Sequence, residues 1–119
     1  MDVNCNKYIN LEYMEMMSDG DEAMKKIMLE MLLEELPQEI NKMVAICQEA
    51  KWSELSAVSH KLKSTLAFVG NDEMTAANKN IETFAKGSAE IDQIPGLIQT
   101  LASLCPNTVS ELNQELARL

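Results

Sequence analysis

The chain has 119 residues, which is the size of one ordinary domain. Its composition is 46% hydrophobic but only 4% aromatic and includes nine methionines, which favours helices over strands. The formal net charge of −9 argues against non-specific binding to nucleic acid, because a phosphate backbone requires a basic stripe. We therefore expect one all-α domain over residues 1–119 and no nucleic-acid partner.

The cysteines and the N-terminus exclude further classes of protein. Cys5, Cys47 and Cys105 are widely spaced and the chain has a single histidine, so we expect neither a disulfide scaffold nor a metal site. Cys47 and Cys105 fall at apolar helical positions and are predicted to be small buried residues. The sequence contains no signal peptide and no stretch as long as a membrane span, which predicts a cytoplasmic protein without membrane insertion.

The first half of the chain predicts one short and one long helix. Residues 1–8 are predicted to be a loose lead-in, and residues 11–17 a short amphipathic helix that stops at residues 18–20. Over residues 21–50, apolar side chains recur at steps of three and four, the period of an α-helix. Pro37 lies inside this pattern and is expected to kink the helix, because the periodicity continues through it.

Two further helices follow after a tight connection. The third helix is predicted from about Glu54 to Val69, with Ser53 as its candidate N-cap and Gly70 as its end. The fourth helix is predicted to run to residue 86, and either Asn71 or Asp72 is its N-cap.

A weakly structured linker over residues 88–94 precedes the last helical segment, residues 95–119, in which Pro106 predicts a second kink. The connections between the long helices are short, so neighbours in sequence should pack antiparallel. The predicted architecture is an up-down antiparallel four-helix bundle with a short extra helix at the N-terminus.

His60 lies on the third helix, and a helical wheel predicts where it points. An arc of roughly 80° holds the core-facing residues, with Thr65 on its border. These residues are Leu55, Val58, Leu62, Leu66 and Val69. His60 lies roughly 160° from the centre of the arc. A lone histidine is more often a core residue, but here we expect an exposed one.

The residues next to His60 on the helix surface indicate more than a solvated histidine. Positions three and four away are Ser56, Ala57, Lys63 and Ser64, and all but the lysine are small. An ordinary solvated face carries long polar side chains, whereas small neighbours leave the imidazole accessible to a flat protein surface. Ala67 and Phe68 extend this surface, and Phe68 is predicted to be an exposed aromatic anchor. The face is predicted to be a docking site.

The chemistry available on this face is narrow. A neutral imidazole can attack phosphorus, and the ammonium of Lys63, one turn on, can stabilise the negative charge of a migrating phosphoryl group. The sequence identifies no carboxylate to orient a buried catalytic base, and the chain has only four glycines and no phosphate-binding loop. We therefore expect no ATP site, no cofactor and no enzymatic activity beyond carrying a phosphoryl group.

The segment SHKLKSTLAFVG resembles the signature of the histidine phosphotransfer (HPt) domain family of two-component phosphorelays. The matching residues are the histidine, a leucine and a lysine after it, a small residue and a later glycine: His60, Leu62, Lys63, Thr65 and Gly70. A long preceding helix with an internal proline and a following helix extend the resemblance over roughly residues 9–117.

The resemblance implies a four-helix bundle whose exposed histidine lies on the second helix of the bundle. His60 would accept a phosphoryl group from an aspartyl phosphate on a receiver domain and pass it to another receiver domain. Its partners would be receiver domains of response regulators or hybrid histidine kinases, and these partners would supply the catalytic aspartate and Mg²⁺. The chain itself is expected to be a monomer.

Two positions depart from the family's usual pattern. Ser64 stands where a glycine commonly follows the lysine, and its small side chain should be tolerated. Glu82 aligns with a position where some members carry a glutamine that binds the histidine; it either stabilises and holds the ring of His60 or is a solvated helix residue. Lys79 and Lys86 either contact phosphate or an acidic receiver pocket, or are plain surface lysines.

Two rival interpretations remain from the sequence. The first is a non-phosphorylated helical adaptor that binds signalling partners through the same face. The second is a fragment of a histidine kinase dimerisation domain, which the four long helices make the weaker of the two. The methionines of the first half are predicted mainly to pack in the core, with Met14, Met17 or Met24 extending an apolar surface near His60.

Overall fold

The computed structural model describes residues 6–119, and Cys5 lies outside them. Five helices follow one another: α1 (Glu12–Ser18), α2 (Glu22–Gln48), α3 (Trp52–Val69), α4 (Asp72–Gly87) and α5 (Ile94–Ala117). Residues 6–119 contain no strand, which confirms the all-α prediction.

Helices α2 to α5 form the bundle, each packing against two of the others, and α1 packs against α2 and α3. The bundle with a short extra N-terminal helix is thereby confirmed. None of the helices in this part of the chain is long and apolar enough to cross a membrane.

An aliphatic core lies between the four long helices. On α3, Leu62 and Leu66 are fully buried, on the side of the helix opposite His60, as the helical wheel predicts. Burying a side chain of this kind stabilises the fold by about 1.5–3 kcal/mol relative to leaving it exposed. The helices contribute similar residues, among them Leu29, Leu36, Ile40, Met43, Ile81, Leu101 and Leu112. The core therefore fixes how α3 is rotated and directs His60 outwards.

The ends of the helices differ in detail from the sequence-based expectations. Helix α3 begins at Trp52, so Ser53 lies inside its first turn and is not the N-cap; that position belongs to Lys51, whose side chain makes no cap bond. The cap of α4 is Asn71, whose side chain accepts a hydrogen bond from the backbone N–H of Met74. The linker is more ordered than predicted, because residues 91–93 form a turn of 3-10 helix.

Both internal prolines lie within unbroken helices, Pro37 in α2 and Pro106 in α5. Each helix continues because the packing of its periodic apolar side chains, on both sides of the proline, outweighs the loss of the backbone hydrogen bond that the proline removes.

The segment before α1 is tied to the bundle. The carboxylate of Glu111 on α5 accepts hydrogen bonds from the backbone N–H groups of Lys7 and Tyr8, both at 2.9 Å. The carbonyl of Tyr8 accepts a hydrogen bond from the side-chain amide of Asn71, also at 2.9 Å. Lys7 and Tyr8 are thus held in place, whereas residues 1–5 of the predicted loose lead-in lie outside the described residues.

The methionines divide between core and surface, so the prediction that they mainly pack in the core is wrong for several of them. Met14 and Met43 are fully buried, whereas the exposed ones are Met16, Met17, Met24 and Met31. Met14 accordingly cannot extend a contact surface near His60, but Met17 and Met24 remain available for one.

The two described cysteines are half-buried, which is less than predicted. Partial burial raises the pKa of the Cys47 thiol and of the Cys105 thiol, because desolvation disfavours the charged thiolate. Both side chains therefore behave as small apolar groups.

Candidate functional site

His60 stands on the outer face of α3, and its side chain is 69% exposed. Its Nδ1 lies 2.7 Å from Oε2 of Glu82 on α4, whose own side chain is mostly buried. Of the two alternatives left open for Glu82, the structure supports the one in which it holds the ring. The contact also links the two helices across the surface of the bundle.

This contact selects one tautomer of the His60 ring. A carboxylate can only accept hydrogen bonds, so the Nδ1 of His60 must carry the hydrogen that it donates to Glu82. In a neutral imidazole with the hydrogen on Nδ1, the lone pair is on Nε2. The nitrogen that can act as a nucleophile is therefore Nε2, on a ring whose orientation is fixed from the other side.

A buried polar pair sets the register between α3 and α4. Ser59, next to His60, donates its hydroxyl hydrogen towards the side-chain oxygen of Asn78 at 2.7 Å and lies 2.9 Å from the backbone carbonyl of the same residue. The amide of Asn78 donates in return to the Ser59 carbonyl at 2.9 Å. Asn78 and Glu82 are one turn apart on α4, so this pairing brings Glu82 alongside His60.

Two lysines line a cavity beside the His60–Glu82 contact. The cavity lies between α3 and α4 and has a volume of about 290 Å³. We call it the Lys63 cavity. It is lined by Lys63, Leu66, Thr75, Asn78, Lys79 and Glu82. Lys63 and Lys79 thus reach the same space from opposite helices, next to the carboxylate that holds His60. An anion bound to His60 would experience positive charge from this side.

The other residues predicted for the site divide by exposure. Ala57, Ser64 and Ala67 are exposed on the His60 face of α3, whereas Ser56 is half-buried. Lys86 is exposed on α4, one turn after Glu82. The small side chains leave the space around the imidazole open.

Phe68 differs from the prediction because it is half-buried. Its ring packs against that of Tyr13 on α1, with the centroids 5.1 Å apart and the planes inclined by 37°. The aromatic pair attaches α1 to the edge of the His60 face. Sequence periodicity could not show this contact, because α1 is too short to fix its own position.

A second cavity, about 170 Å³ in volume, lies on the other side of the His60 face, between α2 and α3. We call it the Met31 cleft. It is lined by Met28, Met31, Leu32, Glu35, Ser64, Thr65 and Phe68. Ser64, Phe68 and the signature residue Thr65 were named from the sequence, whereas the residues that α2 contributes to this lining were missed. The available signal was Glu35, a carboxylate in the α2 face that packs on α3.

No group of three or more histidine, cysteine, aspartate or glutamate side chains within residues 6–119 is placed to hold a metal ion.

The family model described as "Hpt domain" matches residues 27–119. A crystal structure of the HPT domain from an Hpt sensor hybrid histidine kinase of Shewanella matches the fold with a TM-score of 0.76 and 21% sequence identity. That match covers 93% of this chain and 95% of the Shewanella chain. No curated protein sequence matches the chain.

Proposed function

The chain belongs to the Hpt domain family of two-component signalling, and we propose that it carries a phosphoryl group on His60. In this proposal His60 accepts the group from an aspartyl phosphate of one receiver domain and passes it to the aspartate of another. The protein would act as a monomer in the cytoplasm, without a nucleotide site or a cofactor of its own.

The observation that carries the proposal is the state of the His60 ring. Its side chain is 69% exposed, and Glu82 binds Nδ1 and leaves the lone pair on Nε2. A receiver domain must bring its aspartate within bonding distance of this nitrogen, which an exposed ring with small neighbours permits. A surface histidine without a chemical role would not need its ring held in one orientation.

The proposed transfer balances without an additional reactant. Nε2 of His60 forms a bond to phosphorus while the bond from phosphorus to the aspartyl oxygen breaks, and the aspartate leaves as a carboxylate. Attack by Nε2 leaves the ring positively charged, and the carboxylate of Glu82 on Nδ1 stabilises that charge. Because Nδ1 keeps its hydrogen, the phosphorylated ring remains a good leaving group for the onward transfer.

The remaining residues of the face are proposed to contact the receiver domain. The receiver domain would approach closely over the small side chains of Ser56, Ala57, Ser64 and Ala67. Phe68 and Lys86 would lie at the margins of the contact. Glu82 belongs to this set as well, because it positions the histidine at the centre of the contact.

The test of the proposal is transfer from receiver domains phosphorylated with labelled phosphate. We expect label on the wild-type chain with the stability of a phosphohistidine, which is lost in acid and retained in base, and no label on the His60→Gln variant. Circular dichroism and urea unfolding serve as the control that His60→Gln, an exposed substitution, leaves the fold intact.

The same experiment separates the carrier from the adaptor interpretation. An adaptor would bind receiver domains with equal affinity before and after His60→Gln and would take up no label. Equal labelling of both proteins, or labelling of neither by a broad panel of receiver domains, would contradict the proposed function.

The Lys63→Ala variant should transfer phosphoryl groups roughly 10-fold more slowly, because it removes one of the two ammonium groups at the Lys63 cavity. The measurement is the single-turnover rate from a phosphorylated receiver domain. Lys61→Ala is the matched control, since it removes the same charge from an exposed residue of α3 outside that cavity. If the two variants have the same rate, Lys63 has no special part in transfer.

A further inference from the structure

The Met31 cleft borders the His60 face on the side towards α2. Ser64, which forms part of its wall, lies one turn after His60, so a protein that docks on the histidine and extends over Ser64 reaches the cleft. Its volume of about 170 Å³ can be judged against an engineered apolar cavity of about 150 Å³ that binds benzene. The cleft therefore has room for one large apolar side chain of a docked partner.

Glu35 is the one charged residue that lines the Met31 cleft. It is half-buried, and within residues 6–119 it takes part in none of the ion pairs formed within 4.0 Å. Its hydrogen-bond partner is the hydroxyl of Thr65, at a long distance of 3.5 Å. A partly desolvated carboxylate with so weak a partner gains when a docked cation binds it.

The two sides of the His60 face thus differ in charge. The lining towards α4 carries Lys63 and Lys79 together with Glu82, whose carboxylate is engaged by His60, whereas the lining towards α2 carries Glu35 within apolar surroundings. Such a distribution orients a docking partner, because the reversed orientation would place like charges opposite one another. The partner that fits presents acidic groups near α4 and an apolar side chain with a cation near α2.

We propose that the Met31 cleft receives an apolar side chain of the receiver domain and that Glu35 selects receivers with a lysine or arginine beside it. This inference rests on the proposed phosphotransfer function and names the feature of the partner that determines its recognition. Charge is a sharper criterion here than shape, because Met28 and Met31 are flexible and can adapt to different apolar side chains. A receiver with an acidic residue at that place would leave Glu35 unpaired and repelled.

The first test measures transfer rate against the concentration of the phosphorylated receiver domain that labels His60 fastest. Glu35→Gln should raise the half-saturating concentration about 5- to 10-fold and leave the maximal rate unchanged, because the lost interaction is one of binding. The control is Glu34→Gln, which makes the same change of charge at an exposed neighbour outside the cleft. It should leave both parameters unchanged.

The second test concerns the apolar part of the cleft. Met31 and Ile27 are almost equally exposed, at 52% and 53%, but Met31 lines the cleft and Ile27 does not. Met31→Gln should therefore raise the half-saturating concentration several-fold more than Ile27→Gln does. Equal effects would show that general surface hydrophobicity, rather than the cleft, supports docking.

The third test is selectivity across a panel of receiver domains. Glu35→Lys should change the order in which receivers are preferred, favouring those with an acidic residue near the docked apolar side chain, whereas Glu34→Lys should preserve the wild-type order. An unchanged order with Glu35→Lys would overturn the assignment of Glu35.

The possible failures can be told apart. If the wild-type chain takes up no label, the proposed function itself is wrong. If it is labelled normally and Glu35→Gln behaves like Glu34→Gln, only the present inference is wrong. The cleft could instead be occupied by a second copy of the chain, which sedimentation of the chain alone tests. A dimer that Met31→Gln dissociates would assign the cleft to that second copy and overturn the proposal.

Discussion

Replacing Gly70 with alanine is expected to lower the free energy of unfolding by about 2–5 kcal/mol, the sum of backbone strain and a steric clash. Gly70 ends α3 in the left-handed region, at a φ of 75°, where a side chain is strained. A β-carbon at this position would also lie 2.0 Å from the backbone carbonyl oxygen of Asn10 and 2.9 Å from its β-carbon.

The neighbouring contacts explain why this clash cannot be relieved cheaply. The backbone N–H of Asn10 donates to the carbonyl of Val69 at 2.9 Å, and Asn71 binds the carbonyl of Tyr8 while it caps α4. Moving Asn10 away from residue 70 would break these hydrogen bonds and detach the segment before α1. The glycine is therefore required by the path of the N-terminal segment.

Gly20 provides a matched control, because its φ of 77° is nearly the same but a β-carbon there would meet nothing within 4 Å. Gly20→Ala should cost only the backbone strain of about 1–2 kcal/mol. Urea unfolding of both variants measures the difference, which represents the clash with Asn10. Equal losses of stability would contradict the packing argument. We also expect that folded Gly70→Ala transfers phosphoryl groups at the wild-type rate, since Gly70 is remote from the ring contacts of His60.

The sequence was sufficient to predict the face on which His60 lies. A helix rotates by a fixed angle per residue, so buried Leu62 and Leu66 determine the direction of His60 without knowledge of any other helix. The same reasoning identified the small residues Ala57 and Ser64 beside it. Helix type and order also follow from local periodicity, which explains why the bundle was predicted correctly.

Features that join two helices could not be predicted in this way. The contacts between His60 and Glu82, and between Ser59 and Asn78, join α3 to α4, and the periodicity of one helix does not show its register against another. Sequence reasoning therefore left two alternatives for Glu82 and overlooked the Ser59 pair altogether. The position of Glu35 against Thr65 depends in the same way on the register of α2.

The methionines illustrate a different limit. Met31 continues the helical apolar pattern of α2 as regularly as Leu32 does, yet one is exposed and the other is buried. Periodicity shows that a position is apolar but not whether another helix covers it. At the start of α2 the apolar arc is wider than its neighbours can cover, and the excess forms the surface next to the Met31 cleft.

Replacing Glu82 with alanine is expected to slow phosphoryl transfer to His60 by about 10- to 100-fold, because the partner that orients the ring and selects its tautomer is lost. Glu82→Gln should have a smaller effect. A glutamine can still accept the Nδ1 hydrogen through its side-chain oxygen, but it cannot neutralise the positive charge that develops on the ring. The order of rates is therefore wild type, then glutamine, then alanine.

A spectroscopic measurement distinguishes this positioning role from a merely structural one. His60 is the single histidine of the chain, so the side-chain ¹⁵N spectrum contains one imidazole. In the neutral ring, the wild type and Glu82→Gln should show a hydrogen on Nδ1 and a lone pair on Nε2, whereas Glu82→Ala should lose this preference. If Glu82→Ala transfers slowly but keeps the wild-type tautomer, orientation or charge rather than tautomer selection is the cause. If its rate is unchanged, the contact seen between Nδ1 and Glu82 has no part in the chemistry.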